Sequence, residues 1–159
     1  MNVVAVAHLV YGYLGAGKTT FSKRLASELQ AVRYSPDEWL VALYGQDPPE
    51  NEFAEYSRRV LALINTQWPV VLARGVDVVL DFGFWSRGSR DAARMGAFEA
   101  GGGSRLYSLT CEEAVARARC QKRNHSHDGS LFIADATFDL LKSRFEPLGA
   151  DEHFESVPQ

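Results

Sequence analysis

The 159-residue sequence predicts an α/β fold, in which a central parallel sheet of four or five strands is covered by helices on both faces. Short apolar runs alternate along the chain with longer stretches whose apolar residues recur every three or four positions, as strands alternate with helices. Strands and helices in this order form parallel sheets with right-handed crossovers. The sequence contains no evident repeat, low-complexity tract or linker, so we expect one domain covering residues 1–159.

The predicted elements are apolar segments separated by glycine, proline and polar residues. The first strand ends at Tyr11, and a helix with an apolar stripe at Phe21, Leu25 and Leu29 follows a glycine-rich loop. We expect Pro69 to kink or divide the long helical stretch in which it lies. Further strands are predicted at 31–34, 76–80 and 106–109, and a shorter apolar pattern predicts a fifth at 154–157. One further helix is predicted to begin near 36, and others to cover 52–74, 86–100, 112–123 and 134–145.

Composition excludes several classes of protein. Hydrophobic residues make up 46% and charged residues 23% of the sequence, and no apolar run approaches the ~20 residues of a membrane span. The first ten residues lack a basic segment and lead directly into the glycine loop, so a buried strand is favoured over a secretory signal. Cys111 and Cys120 are too few for a disulfide framework. These features indicate a cytoplasmic protein with no membrane partner, and the net charge of −3 argues against extended contacts with nucleic acid.

The glycine-rich loop G-Y-L-G-A-G-K-T at 12–19 matches the phosphate-binding pattern G-x-x-x-x-G-K-[ST] at every fixed position. Its backbone N–H groups form an anion nest at the start of a helix. The lysine supplies a charge to the β- and γ-phosphates, and the hydroxyl of Thr19 coordinates Mg²⁺. The pattern therefore predicts a P-loop NTPase three-layer fold that binds ATP or GTP together with Mg²⁺. The residues expected to bind the nucleotide are Gly12, Gly15, Ala16, Gly17, Lys18, Thr19 and Thr20.

Two acids follow predicted strands. Asp37 comes after the second strand and Asp81 ends the third, so both should lie at the sheet edge that carries the phosphate loop. The apolar run before Asp81 is typical of a Walker B strand, whose carboxylate holds the metal. Asp37 could instead only cap a helix together with Ser35, and Asp81 could be a buried acid bonded to loop amides.

With the phosphate loop, the motifs S-x-D-E at 35–38 and L-D-F-G-F-W at 80–85 make residues 9–152 resemble a family of small P-loop kinases. That family includes polynucleotide 5′-hydroxyl kinases, chloramphenicol phosphotransferase and zeta toxins. The stretch V-D-V-V-L-D-F-G-F-W-S-R at 76–87 is most similar to those of uncharacterised bacterial predicted kinases of the group. The loop is specific for nucleotide binding, whereas the other motifs specify the family but not the acceptor.

The resemblance implies roles for particular residues. It implies that Asp37 is the general base toward the acceptor hydroxyl, that Asp81 orients the metal or the acceptor, and that arginines after the fourth strand form a lid on the donor. Polynucleotide kinases carry an arginine three residues after the base, where this chain has Leu40. This departure argues against nucleic-acid acceptors and favours an apolar or aromatic-lined pocket.

Several arginines are candidates for contacts with phosphate. Arg119 and Arg123 lie four residues apart at the end of a predicted helix and share one face. Arg123, beside the polar loop that follows, is the candidate lid, and Arg119 is a candidate for stacking on adenine; both could also be a solvated basic helix end. Arg87, Arg90 and Arg94 share another face, on which Arg87 could contact a phosphate, whereas solvation better explains Arg94.

Aromatic and histidine residues each allow a structural and a functional interpretation. Trp39 is a candidate for the acceptor pocket, as are Phe84 and Trp85, although core packing explains these rings almost as well. His125 and His127 lack a third nearby ligand, so exposure is favoured over metal binding.

The function predicted from the sequence is transfer of the γ-phosphate of MgATP to a hydroxyl group on a small-molecule acceptor. Two alternatives stay open: a polynucleotide 5′-hydroxyl kinase, and an NTP hydrolase or nucleotide-sensing module without an acceptor. The sequence leaves the oligomeric state, the acceptor and the choice between ATP and GTP undetermined.

Overall fold

The computed structural model describes residues 3–126 and 130–158. Five strands form one sheet in the order β2-β3-β1-β4-β5, and every neighbouring pair is parallel. Among the described residues, no helix combines the length and apolar character needed to span a membrane. The elements are β1 (Val6–Tyr11), α1 (Lys18–Leu29), β2 (Val32–Tyr34), α2 (Pro36–Tyr44), α3 (Glu50–Ala73), β3 (Val78–Gly83), α4 (Arg87–Glu99), β4 (Gly103–Leu109), α5 (Glu113–Asn124), α6 (Asp135–Lys142) and β5 (Glu155–Val157).

Alternate residues of the central strands face two separate cores. On one face of β1, Leu9 packs in a cluster with Ile64 of α3 and Ala97 of α4. On the other face, Val10 packs in a cluster with Ala26 of α1. Because side chains of a strand alternate between the faces of a sheet, this arrangement places helices on both faces. It confirms the predicted α/β P-loop NTPase three-layer fold, and the thinly supported fifth strand is present.

The long helix is not divided at its proline. α3 runs from Glu50 to Ala73 with Pro69 inside it, although proline removes a backbone hydrogen bond. Ile64, Trp68 and Leu72 follow one another at four-residue spacing, and all three are buried. Burial of this stripe on both sides of Pro69 stabilises the continuous helix, so the predicted division is absent, while a kink at Pro69 stays a prediction.

Two other element boundaries differ from the prediction in ways that affect the site. β3 begins at Val78 and extends to Gly83, so Asp81 lies inside the strand and not at its end. α6 ends at Lys142 and not at 145, and the ring of Phe145 stacks on Tyr11 with centroids 4.9 Å apart. The residues after α6 thus pack against the C-terminal end of β1, where the phosphate loop begins.

Candidate active site

The phosphate loop connects β1 to α1 at the centre of the sheet. Its Gly12 N–H donates to the carbonyl of Gly83 (3.2 Å), which ties the start of the loop to the end of β3. Gly15 and Gly17 have φ angles of 75° and 93°, a region that favours glycine. A Cβ atom on Gly15 would also collide with the carbonyl oxygen of Ala116 in α5. The glycines of the motif therefore serve both the turn and the close approach of α5.

Lys18 is the first residue of α1, and its Nζ donates to the carbonyl of Tyr13 in the loop (2.9 Å). Burial, the largest effect, lowers the pKa of Lys18, and Arg123 also lowers it, whereas Asp81 and Asp37 raise it. The next residues, Thr19 and Thr20, are exposed in the first turn of the helix. Lys18 thus has both candidate carboxylates and the candidate lid arginine within electrostatic reach.

Asp37 lies in the first turn of α2, at the C-terminal side of β2. Ser35 is the N-cap of this helix, and its hydroxyl accepts from the N–H of Glu38 (3.4 Å). The cap hydrogen bond is therefore made by Ser35, although Asp37 still stands where helix dipoles favour an acid.

The carboxylate of Asp37 has an unusual environment. Burial, the largest effect, raises its pKa; Lys18 and Arg123 lower it, while Asp81 and Glu38 raise it. The side chain of Asp37 nevertheless remains accessible to water. It therefore lies in a crevice and not in the core. Crowding by protein on the sides of such a crevice desolvates a carboxylate without closing it to a ligand.

Asp81 is buried inside β3 with two side-chain partners. Its Oδ2 accepts from the hydroxyl of Ser22 in α1 (2.9 Å) and from Nη2 of Arg33 in β2 (2.7 Å). Nε of Arg33 also donates to the Ser22 hydroxyl (2.7 Å). The partners are thus side chains of two neighbouring elements and not the loop amides considered from the sequence.

Arg33 is the residue of the site that sequence reasoning missed. Besides Asp81 it binds Glu38, since its Nη1 donates to Glu38 Oε2 (2.7 Å). Burial raises the pKa of Glu38, but the hydrogen bond and the charge of Arg33 outweigh burial, and the pKa is lowered overall. The only signal in the sequence was a cation on a short strand beside the S-x-D-E motif, which alone suggests an exposed residue.

The two arginines of α5 lie near the phosphate loop. Nη1 of Arg119 donates to the carbonyl of Gly15 (3.1 Å), and Arg123 is half-buried with Nη2 near the Cys120 sulfur (3.4 Å). Arg123 also acts on the pKa of both Lys18 and Asp37. The loop that follows is described only in part, because His127 lies outside the described residues; His125 is exposed.

The arginines of α4 form an ion-pair cluster and not a solvated basic face. Arg90 is fully buried, with its Nε 2.8 Å from Glu152 Oε1 and its Nη1 donating to the Phe84 carbonyl (2.9 Å). Arg94 binds the same carboxylate (2.8 Å), so solvation was the wrong explanation for it. The guanidinium of Arg87 donates hydrogen bonds to Asp91 and Asp151. Its contact with a phosphate stays a prediction.

The aromatic residues divide between the core and the site. Leu40 is 2% exposed in the main core, so it does not line an acceptor pocket. Trp39 is half-buried beside Tyr34, with ring centroids 6.3 Å apart. Trp85 stacks on Tyr13 with centroids 5.3 Å apart, and its indole N–H donates to the Gly12 carbonyl (3.0 Å). Trp85 therefore supports the phosphate loop.

Comparison with protein families identifies one match. A family model described as an AAA domain covers residues 8–148, which include most of β1, the phosphate loop, Asp37, Asp81 and the arginines of α5. Comparison with curated proteins finds no match.

Solved structures with a similar fold include kinases. A kinase candidate from Chloroflexus aurantiacus j-10-fl has a TM-score of 0.76 at 18% identity, over 98% of this chain and 88% of that one. Kti12 of Chaetomium thermophilum, solved with ADP-AlF3, has a TM-score of 0.73 at 19% identity (95% and 88% covered). A gluconokinase from Sinorhizobium meliloti 1021 has a TM-score of 0.65 at 20% identity (97% and 82% covered). Together with the family match, they confirm the resemblance to small P-loop kinases that the motifs predicted.

Proposed function

We propose, from the premise that the chain belongs to the AAA domain family, that it is a kinase which transfers the γ-phosphate of ATP to a hydroxyl group of a small-molecule acceptor. The observation that carries this proposal is the grouping of four charged side chains at one end of the sheet. Lys18, Arg123 and Asp81 all act on the carboxylate of Asp37, although these four residues come from four separate elements, α1, α5, β3 and α2. A phosphate cradle beside a crowded carboxylate is the arrangement that phosphoryl transfer to an alcohol requires.

The donor side of the site fits MgATP. The positive φ angles of Gly15 and Gly17 allow the loop N–H groups to point at phosphates, and α1 adds its N-terminal dipole. The nucleotide would be held by Gly12 to Thr20, with Lys18 on the β- and γ-phosphates and Arg119 and Arg123 at the α5 side. Thr19 and the free oxygen of Asp81 would hold Mg²⁺, which neutralises charge on the phosphates when bound.

Asp37 is the general base of the proposed reaction. Its carboxylate takes the proton of the acceptor hydroxyl while that oxygen attacks the γ-phosphorus, and the bond to the bridging β–γ oxygen breaks to release ADP. A raised pKa suits a carboxylate that must accept a proton, because a base works best with a pKa close to the working pH. Arg123 neutralises charge on the transferring group, as cations do in such sites.

The experiment that tests this function compares Asp37→Asn with the wild type. We expect transfer to fall by about 10²–10⁴-fold, the usual loss on removing a general base, while ATP affinity measured by titration changes little. Asparagine caps a helix as well as aspartate does. Near-wild-type transfer by Asp37→Asn would therefore mean that Asp37 only stabilises the N-terminus of α2.

Lys18→Ala is the matched control for the donor side. We expect this variant to lose productive use of MgATP with the fold intact, because Lys18 is only partly buried at the first position of α1 and belongs to no core cluster. The alternative of a hydrolase or a sensor predicts a different result. Such a protein would bind ATP, would hydrolyse it equally in the wild type and in Asp37→Asn, and would phosphorylate nothing in a metabolite screen. Transfer only to polynucleotide 5′ ends would establish the nucleic-acid alternative.

A further inference from the structure

The two cations that act on Asp37 both bind the ATP phosphates in the proposed reaction. The positive charges that lower its pKa are those of Lys18 and Arg123, and both are assigned to the phosphates of the donor. A second anionic group, carried by the acceptor, would need another cation close to the hydroxyl that reacts.

Two further cations lie beside Glu38, the residue that follows Asp37, and both pair with its carboxylate. Arg33 donates to Glu38 Oε2 and to Asp81 Oδ2, at 2.7 Å in each case, and its side chain is 12% exposed. Lys23 lies 3.5 Å from Glu38 Oε1. The charge of Arg33 is therefore already matched by two carboxylates, and the nearby lysine is directed at one of them.

The surroundings of Asp37 favour an uncharged ligand in another respect. MgATP brings a net negative charge close to Asp37, whose pKa is already raised by burial and by the like charges of Asp81 and Glu38. On the same helix, Trp39 presents a half-buried ring beside Tyr34. Like charges brought together in a crevice of low dielectric repel strongly, whereas an aromatic ring accommodates an apolar or neutral polar group.

From this arrangement, and resting on the proposed function, we infer that the acceptor is an alcohol with no phosphate or carboxylate group near its reacting hydroxyl, and that Glu38 determines this specificity. Glu38 does so by engaging Arg33 and Lys23, so that neither is available to an anionic acceptor. Replacing Glu38 by glutamine keeps the shape of the side chain. It frees Lys23 and the Nη1 edge of Arg33, whose Nη2 stays bound to Asp81.

The first test uses pairs of acceptors that differ only in an anionic group next to the hydroxyl, such as a nucleoside and its 3′-phosphate or a sugar alcohol and its sugar acid. Transfer from labelled ATP is measured for the wild type, for Glu38→Gln and for Glu28→Gln. Glu28 is an exposed glutamate at the far end of α1 that pairs with Arg24, so its variant controls for loss of one negative charge.

We expect the wild type and Glu28→Gln to prefer the neutral member of each pair by at least about tenfold in kcat/KM, because the anionic member meets like charge. Glu38→Gln should reduce this preference. A wild type that uses the anionic members as well as the neutral ones would overturn the inference while leaving the kinase proposal intact.

A second measurement tests the role of Glu38 when none of the paired acceptors is phosphorylated. Inorganic phosphate is titrated calorimetrically into protein saturated with Mg²⁺ and a non-hydrolysable ATP analogue, so that the donor cradle is filled. We expect Glu38→Gln to bind phosphate at least about tenfold more tightly than the wild type, since Lys23 and the freed Nη1 edge of Arg33 can then bind an oxyanion. Equal affinities, including no binding by either protein, would refute the role of Glu38. Failure of the wild type to bind the analogue at all would instead refute the proposed function.

Discussion

Replacing Glu152 by glutamine should destabilise the protein in a manner that depends on pH. The hydrogen bond from Arg90 is the largest influence on the pKa of Glu152. It lowers this pKa to about 2, from an ordinary value of 4.5. That difference corresponds to about 3 kcal/mol of stabilisation at neutral pH. The side chain is 1% exposed, but its second partner Arg94 is 27% exposed, so solvent still screens the cluster in part. We therefore expect a loss of about 2 kcal/mol for Glu152→Gln at pH 7.

The sign of the pH dependence follows from the lowered pKa. A carboxylate whose pKa is depressed by folding contributes its full stabilisation above the unfolded pKa of 4.5, and this is lost as the pH falls through the folded value of about 2. Urea unfolding of both proteins at pH 7, 5, 4 and 3 measures the difference in free energy. It should be largest at pH 7 and should shrink below pH 4.5.

Glu99→Gln, at an exposed position at the end of α4, is the control for this series. We expect it to follow the wild type at every pH, because removal of an exposed charge usually changes stability little. A loss for Glu152→Gln that stays constant from pH 7 to pH 3 would show that lost packing, and not the ion pair, causes the destabilisation.

Three further outcomes concern the phosphate loop and its neighbours. Gly15→Ala should lose most ATP binding in a titration, because the new methyl group collides with α5 and the φ of 75° is strained for alanine; wild-type affinity would contradict the close packing. Trp85→Phe keeps the aromatic stack but loses the hydrogen bond to Gly12, so thermal unfolding should report a loss of about 1 kcal/mol. Asn124→Ala removes both hydrogen bonds to the backbone of Ile133 (2.6 and 2.8 Å), so hydrogen exchange over 130–134 should accelerate, and unchanged rates would count against these bonds.

The sheet and the phosphate loop were predictable because their signals are local. An apolar strand, a glycine-rich turn and a helix stripe follow one another within 6–29, and each can be recognised without its partners. The continuity of α3 through Pro69 was not predictable, because it depends on how deeply Ile64 and Leu72 pack against the sheet. Propensity indicates where a helix would break in isolation, whereas packing decides in the folded chain.

The site divides in the same way. Lys18 and Asp37 stood out from short motifs, and the structure brings them within electrostatic reach of each other. Arg33 did not stand out, because its partner Asp81 is 48 residues away. Arg90 was placed on a basic helix face, since Glu152, which neutralises it, is 62 residues distant. Such pairings depend on the order of strands in the sheet, which no pattern within one helix or strand contains.

The position of Glu152 has a practical consequence for producing this protein. The family model ends at 148, four residues before the carboxylate that neutralises Arg90. A protein trimmed to the family boundary would retain the whole phosphate loop, Asp37 and α5, yet it would leave a guanidinium buried without a counter-charge and β4 without its neighbour β5. Domain limits taken from such a match would therefore yield an aggregation-prone fragment whose inactivity could be mistaken for evidence against catalysis.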